Sequence, residues 1–352
     1  STLGIATAAG VVVMGNYASD AMDFLVDFQF RQVQRQDLWV MLAEATEERV
    51  LHDFRHLPGV AHVESYRSLP VRMISGPRSK RMSIMGLQPD RRLYRPLDQS
   101  GNEPQLTDDG LVISARLATL LGVTPGDSVT VEILDGKRPV VDLRVVGTVD
   151  DLSGTDAFAR REFVNRIAQE GPLVSGAWLA VDPHELDDLY VQLKETPQVV
   201  GVNATAATID SFLSTIGESQ LQMQAFVIGF AVVIAAGVVY NTARITLSER
   251  DRDLATMRVL GFTTAEVSMI LLGELAILTL VSIPIGLAMG YGMAWMISLS
   301  LQTDLFRIPL VIYPSTFGYA AIVVLASAIV SGIVVRRRLH RLDLFAVLKG
   351  HE

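Results

Sequence analysis

The chain has 352 residues, 49% of them hydrophobic, and a formal net charge of −8. That length leaves room for more than one domain, and the acidic balance disfavours wholesale nucleic-acid binding. The absence of cysteine excludes thiolate metal sites, redox motifs and cysteine nucleophiles. Mean hydropathy is positive, +0.34, but the apolar residues are unevenly spread. They concentrate at the extreme N-terminus and after about residue 220, around a middle that reads as ordinary soluble protein.

An apolar run, Gly4–Gly15, begins almost directly after Ser1. It lacks the basic lead-in and small-residue cleavage site of a secretory signal, and it is shorter than the roughly 20 residues of a spanning helix. It reads as the outer part of a membrane helix whose inner end precedes Ser1, with a buried helix of a soluble core as the alternative. Apolar positions at helical spacing continue through Phe24, Leu25, Phe28 and Val33, then give way to a strand near Asp37–Leu42.

The soluble block, about residues 44 to 215, mixes strands with short helices, which predicts an α+β domain. Thr46–Leu57 reads as an amphipathic helix with Thr46 as N-cap. Strands are expected at Ala61–Tyr66, Leu69–Ile74, Met82–Leu87 and Leu111–Ser114. A helix over Ser114–Leu121 should end at Gly122. A turn at Thr124–Asp127 leads into a hairpin, Val129–Leu134 and Val140–Val149, joined at Asp135–Gly136. A strand at Trp178–Val181, a helix at Pro183–Leu193 and a strand at Val199–Ala206 close the block.

The rest of the chain holds three apolar segments, about Ala225–Ala243, Met269–Leu301 and Ser315–Val335, each long enough to cross a bilayer. The second contains Glu274 and Pro284 and is open to tilting or kinking. The link between the first two carries Arg244, Arg250, Arg252 and Arg258; the tail carries Arg336, Arg337, Arg338, Arg341 and Lys349; the remaining link has only Arg307. The positive-inside rule puts the arginine-rich link and the tail in the cytoplasm and the soluble block outside. The expected fold is an α-helical membrane protein of four transmembrane helices, with an α+β extracytoplasmic domain inserted between helix 1 and helix 2. Helix 1 and its extension take residues 1–30, the extracytoplasmic domain 31–220, and the three late helices with the tail 221–352.

The arginine-rich link runs Ser248-Glu249-Arg250-Asp251-Arg252-Asp253-Leu254-Ala255-Thr256-Met257-Arg258-Val259-Leu260-Gly261-Phe262. Leu254, Met257, Val259 and Leu260 cluster on one side of a short helix, the charges precede them, and Gly261 ends it, giving an amphipathic surface helix over about 248–262. This stretch resembles the coupling segment of FtsX/MacB-type ABC permeases. The resemblance extends to Glu266–Glu274, to Leu3-Gly4-Ile5-Ala6 as a first helix cut after its lead-in, to Leu111–Val131 as part of a MacB-like periplasmic domain, and to the closing run Asp343–Leu348. It implies that Glu249, Arg252, Asp253, Leu254, Met257, Arg258, Leu260 and Gly261 couple the chain to a cytoplasmic ABC ATPase subunit. It also implies a second permease, identical or paralogous, in the bacterial cytoplasmic (inner) membrane. Given that resemblance, the start at Ser1 reads as the second half of a longer, duplicated permease.

Other features carry weaker readings. Glu274 lies about one turn into a membrane helix, where a salt bridge to an arginine of the link is favoured over a proton relay. Gly286, Gly290 and Gly292, with Ala288 and Ala294, form a small-residue surface suited to close helix packing, a candidate dimer interface. Arg72, Arg78, Lys80, Arg81, Arg91, Arg92 and Arg95 form either a solvated face or a patch for anionic lipid or an acidic partner. His52 and His56 sit at helical i, i+4 spacing, but Asp53 rather than Glu comes after His52, so the zincin logic fails and surface residues are the default reading. There is no Gly-x-Ser-x-Gly elbow and no Gly-x-x-x-x-Gly-Lys-Ser/Thr loop. The chain is therefore expected to be no enzyme and to hold no cofactor, with ATP bound by the partner subunit. The expected function is a permease that converts ATP hydrolysis into movement of its outer domain, to export or extract a lipid, lipoprotein, peptide or drug. The alternative is a non-transporting relay that regulates an extracytoplasmic partner such as a cell-wall hydrolase.

Overall fold

The computed structural model describes residues 2–152, 155–249, 256, 260, 263–300 and 309–339. The chain divides into two compact units. One holds the residues up to Met22, Ile216–Ser300 and those from Leu310 onward; the other holds Asp23–Thr215.

The first unit is helical. It draws on α1 (Thr2–Asp27), α6 (Thr205–Glu249), α7 (Thr264–Ser300) and α8 (Pro314–Leu339). Each contributes to a stretch long and apolar enough to cross a membrane: Thr2–Val33, Gln222–Thr242, Leu272–Ser300 and Pro314–Ile333. The apolar run that looked too short from Gly4 to Gly15 alone is thus part of a longer helix, because the polar residues beyond it keep helical geometry. Large apolar side chains such as Phe226, Phe230, Ile277 and Ile322 face outward, which suits a lipid surround and would be costly in water. Four buried hydroxyls turn back on their own helices. Thr242 donates to Val238 O, Thr279 to Leu275 O, Ser282 to Leu278 O and Ser327 to Val323 O, each at 2.6–2.8 Å. No donor among these four is left to an apolar surround. Pro284 lies inside α7 without ending it; it removes one backbone donor, a loss that membrane helices tolerate when neighbouring groups compensate.

The second unit is α+β. Its strands are β1 (Leu38–Glu47), β2 (Val60–Ser75), β3 (Arg78–Leu87), β4 (Leu111–Ser114), β5 (Ser128–Ile133), β6 (Val140–Val149), β7 (Ala157–Arg160), β8 (Leu173–Val181) and β9 (Val199–Ala204). The short helices are α2 (Val50–Arg55), α3 (Ala115–Leu121), α4 (Arg161–Ile167) and α5 (Leu186–Glu195). The strand order is β3-β7-β4-β6-β5-β2-β8-β1-β9, and β3 also pairs with β2. That extra pairing closes β2-β3-β7-β4-β6-β5 into a six-stranded barrel, filled by Leu69, Val71, Ile84, Ile113, Val131 and Val145 among others. The remaining strands, β2-β8-β1-β9, form an antiparallel sheet. With α2 and α5 on one face it has the β-α-β-β-α-β connectivity of a ferredoxin-like layer, and the barrel is inserted between β2 and β8.

Several sequence expectations change here. The two strands expected at Ala61–Tyr66 and Leu69–Ile74 are one strand of 16 residues. The gap expected between them is bridged because β2 pairs with β3 without interruption from Arg67 to Ser75, with Pro70 opposite Ser83 and its carbonyl accepting the Leu134 N–H at 2.9 Å. Thr46 is not an N-cap. It pairs with Val174 inside β1, and the helix shrinks to Val50–Arg55. The strand β7 and helix α4 are additions to the expected elements, since Ala157–Arg160 is only four residues long. Ser114 and Gly122 do cap α3 as expected: Ser114 Oγ accepts the Leu117 N–H at 3.2 Å and Gly122 adopts φ 69°.

Arg67 sits where β2 passes from sheet to barrel, with its side chain 2% exposed. It donates to Ser68 O at 2.8 Å, Ser175 Oγ at 3.0 Å, Asp135 Oδ2 at 3.1 Å and Glu170 Oε2 at 2.9 Å. It thereby ties the β5–β6 hairpin and the approach to β8 to one point of β2. Glu64, also buried, accepts the Leu93 N–H at 2.9 Å and the Arg92 N–H, holding the loop after β3. Between them Tyr66 accepts from Trp39 Nε1 at 2.8 Å and packs on Trp178, which stacks on Tyr94.

Truncating Arg67 to alanine leaves the Glu170 carboxylate without its ion-pair partner, so Arg67→Ala should cost about 3 kcal/mol in urea unfolding of the α+β unit monitored by Trp fluorescence. Burial pushes the Tyr66 hydroxyl up from 10.0 to about 12. A raised folded value means that stability is full below pH 10 and is lost as pH climbs from 10 towards 12, by roughly 2–3 kcal/mol. Tyr66→Phe should remove that share of the slope in urea midpoints measured across the same pH range.

Candidate functional site

The stretch singled out for coupling joins α6 to α7. Glu249 is the last residue of α6, and Leu260 is 72% exposed, its N–H donating to Thr256 O at 3.0 Å. That bond is one helical turn. Arg252, Asp253, Leu254, Met257, Arg258 and Gly261 lie outside the described residues, so their arrangement rests on the sequence.

The start of α7, just beyond this stretch, is firmly capped. Thr263 N–H and Oγ1 donate to Glu266 Oε2 at 2.7 and 2.9 Å, and Thr263 Oγ1 accepts the Glu266 N–H at 3.3 Å. This is a reciprocal capping box. Hydrogen bonds from Thr263, backbone first, hold the Glu266 carboxyl below its ordinary range. The Thr-x-x-Glu pattern of Thr263–Glu266 makes Thr263 the N-cap of α7, which begins at Thr264. Glu274 lies partly buried in α7 inside the apolar span and is engaged with neighbours. Pro284 is exposed on the same helix.

The helical unit is held by close contacts that the sequence indicated only in part. A Cβ on Gly286 would lie 2.5 Å from Ala6 O and 2.6 Å from Ala9 Cβ; one on Gly290 would meet Val13 Cβ at 2.6 Å. The small-residue surface expected at a dimer interface is therefore taken, at Gly286 and Gly290, by α1 of the same chain. Gly292 has open space around it. Backbones approach where Cβ atoms are missing, which is the packing logic of membrane helices. The buried Asp20 on α1 accepts the Tyr313 N–H at 2.9 Å and the Thr316 Oγ1–H at 2.7 Å. It caps the N-terminus of α8 from another helix, where a negative charge is favoured. Asn16 accepts from Gln224 of α6. None of Asn16, Asp20 or Gln224 was singled out in the sequence; a polar residue in an apolar run was the available signal.

In the α+β unit the seven basic residues do not act as one patch. Arg72 pairs with Glu132 at 3.1 Å, and Arg91 and Arg95 converge on Glu103. Burial lowers the Arg91 value, opposed by Glu103. His52 and His56 stack with centroids 4.7 Å apart, and His56 Nδ1 lies 2.6 Å from His52 O. Among the described residues no third histidine, acid or cysteine joins them to make a metal cluster. Asp127 accepts from Thr124 N–H at 2.8 Å and Thr124 Oγ1 at 2.9 Å, closing the expected turn.

Residues 225–344 match the family model described as FtsX-like permease C-terminal. The arginine-rich link lies inside the matched residues. The chain is also similar to the solved extracellular domain of the noncanonic ABC-type transporter YknZ from Gram-positive bacteria, at 13% identity over 47% of this chain and 99% of that one, TM-score 0.33. A second similar structure is the periplasmic region of MacB from Actinobacillus actinomycetemcomitans, at 14% identity over 55% of this chain and 97% of that one, TM-score 0.32. No curated protein matches the chain.

The helical unit yields a test of its own. Gly286→Leu should force α1 from α7, and Asp20→Leu should leave Tyr313 N–H and Thr316 unpaired, each lowering stability by about 1–3 kcal/mol. Thermal unfolding in lipid nanodiscs reads both, and Gly292→Leu, with open space around it, should change little.

Proposed function

We propose that this chain is the membrane-spanning permease subunit of an ABC-type complex whose ATP is hydrolysed on a separate subunit. The observation that carries the reading is the FtsX-like match over residues 225–344, which contains the link Ser248–Phe262. It is supported by four helices of spanning length and by an α+β unit placed between the first and second of them. The arginines of the link and tail favour a cytoplasmic location for both and an outer location for the α+β unit. A bacterial inner membrane is the setting that this arrangement fits.

On this reading Leu254, Met257 and Leu260 dock into an apolar groove of the ATPase, and Glu249, Arg252, Asp253 and Arg258 set the polar rim. Closure of the ATPase on ATP displaces the link. α6 and α7, which flank it, carry that displacement to the membrane. Glu274 pairs with an arginine of the link and keeps the inner end of α7 in register. Two permease subunits, alike or paralogous, complete the complex, and the outer unit is moved to export or extract a lipid, lipoprotein, peptide or drug.

Co-expression with the ATPase encoded beside it, and then affinity purification in lipid nanodiscs, tests this. The wild-type chain should retain the ATPase. Met257→Asp and Leu260→Asp, which put a charge in an apolar contact, should release it. Undiminished retention by both variants would rule out docking through this helix.

A further inference from the structure

The α+β unit contains a cavity of about 260 Å³ at one end of the β1/β9 pair, next to a π-helical turn at Phe28–Val33. That volume is several times the roughly 30 Å³ that a water takes in the liquid and just below the range of about 300–1,000 Å³ common to small-molecule sites. Two features set it apart from a packing defect. The lining contains four carboxamides, Gln29, Gln34, Gln36 and Asn203, and no charged residue. Gln36 is only 3% exposed, and its Oε1 has no hydrogen-bond partner.

The other polar groups of the lining are already committed. Trp39 Nε1 donates to Tyr66, Thr205 Oγ1 donates to Gln36 O at 2.6 Å, and Thr208 Oγ1 donates to Ala204 O at 3.0 Å. Gln36 Nε2 reaches Gln34 Oε1 only at 3.5 Å. A buried carboxamide oxygen without a donor is costly. Turning the carboxamide about its last torsion offers a donor or an acceptor to whatever fills the space. The π-helical turn supplies Gln29 and Phe30, and such turns in helices are frequent at functional sites.

The lining selects its occupant. With no charge in the wall, an ammonium or carboxylate would be desolvated without compensation. Primary amides pair with an N–H and a C=O at once, which matches a peptide unit. Leu25, Phe30, Trp39 and Leu152 leave an apolar side for an aliphatic group; a sugar, hydroxylated on all sides, would waste that contact. We propose that this cavity binds an uncharged peptide segment, with a backbone amide on Gln36 and Asn203 and an aliphatic side chain against the apolar wall. The proposal stands on the α+β unit alone and does not depend on coupling to an ATPase.

The test uses the full chain in lipid nanodiscs, titrated with N-acetyl-alanyl-leucine amide and monitored by saturation-transfer NMR. Saturable binding is expected. It should weaken about tenfold in Gln36→Leu, the loss of one well-made hydrogen bond, and similarly in Asn203→Leu. The unblocked dipeptide, with both termini charged, should bind more weakly still. Asn203 is exposed, so its variant reports on binding even where Gln36→Leu disturbs folding. Absence of saturable binding at millimolar peptide, equal binding by wild type and both variants, or binding of maltose in its place would overturn the proposal.

Discussion

The α+β unit depends on one strand being shared. β2 runs 16 residues; its first half belongs to the β2-β8-β1-β9 sheet and its second half to the barrel. A strand that leaves one sheet for another exposes polar backbone at the changeover, and buried backbone groups must find partners. Arg67 stands at that place with its guanidinium divided between a backbone carbonyl, a serine and two acids. Its partners come from the β5–β6 hairpin and from the segment leading to β8, so the same group that covers the changeover also fixes barrel to sheet. An apolar residue could fill the space, but it could not answer Glu170 and Ser175 together.

The helical unit obeys the same rule under a harder condition, because lipid offers no hydrogen bonds. The buried hydroxyls of Thr242, Thr279, Ser282 and Ser327 bond to carbonyls of their own helices, the buried Asp20 serves the N-terminus of α8, and glycines on α7 let α1 approach. Backbones come closest at Ala6, Gly10, Gly286 and Gly290. The capping box at Thr263–Glu266 defines where α7 begins.

Periodicity made most of the α+β elements readable. Ser114 and Gly122 bracket α3, Asp135–Gly136 turns the hairpin, and the strands at Val140–Val149 and Val199–Ala204 sit where alternation put them. The failures share a cause. Thr46 carries a cap signal, but its pairing with Val174 of β8 outweighs it. The gap left between Tyr66 and Leu69 is bridged by the continuous ladder with β3. β7 was not singled out in the sequence; it is held between β3 and β4, which pair with it on either side. The glycines of α7 were legible as a packing surface, but not their partner, since two helices of one chain and two helices of two chains use the same small residues.

The sequence by itself determined four helices of spanning length, the α+β character of the middle block, its insertion between the first two of those helices, and the likeness of the Ser248–Gly261 stretch to a coupling segment. Those properties arise from local composition and spacing, which do not need the rest of the chain. Only the tertiary structure decided that β2 serves two sheets, that Asp20 caps α8, that Arg67 is buried, and that Gln29, Gln36 and Asn203 line one cavity. Each of these joins residues tens to hundreds of positions apart. A one-dimensional pattern carries no record of such meetings, because the physical term that selects them is burial against a distant partner.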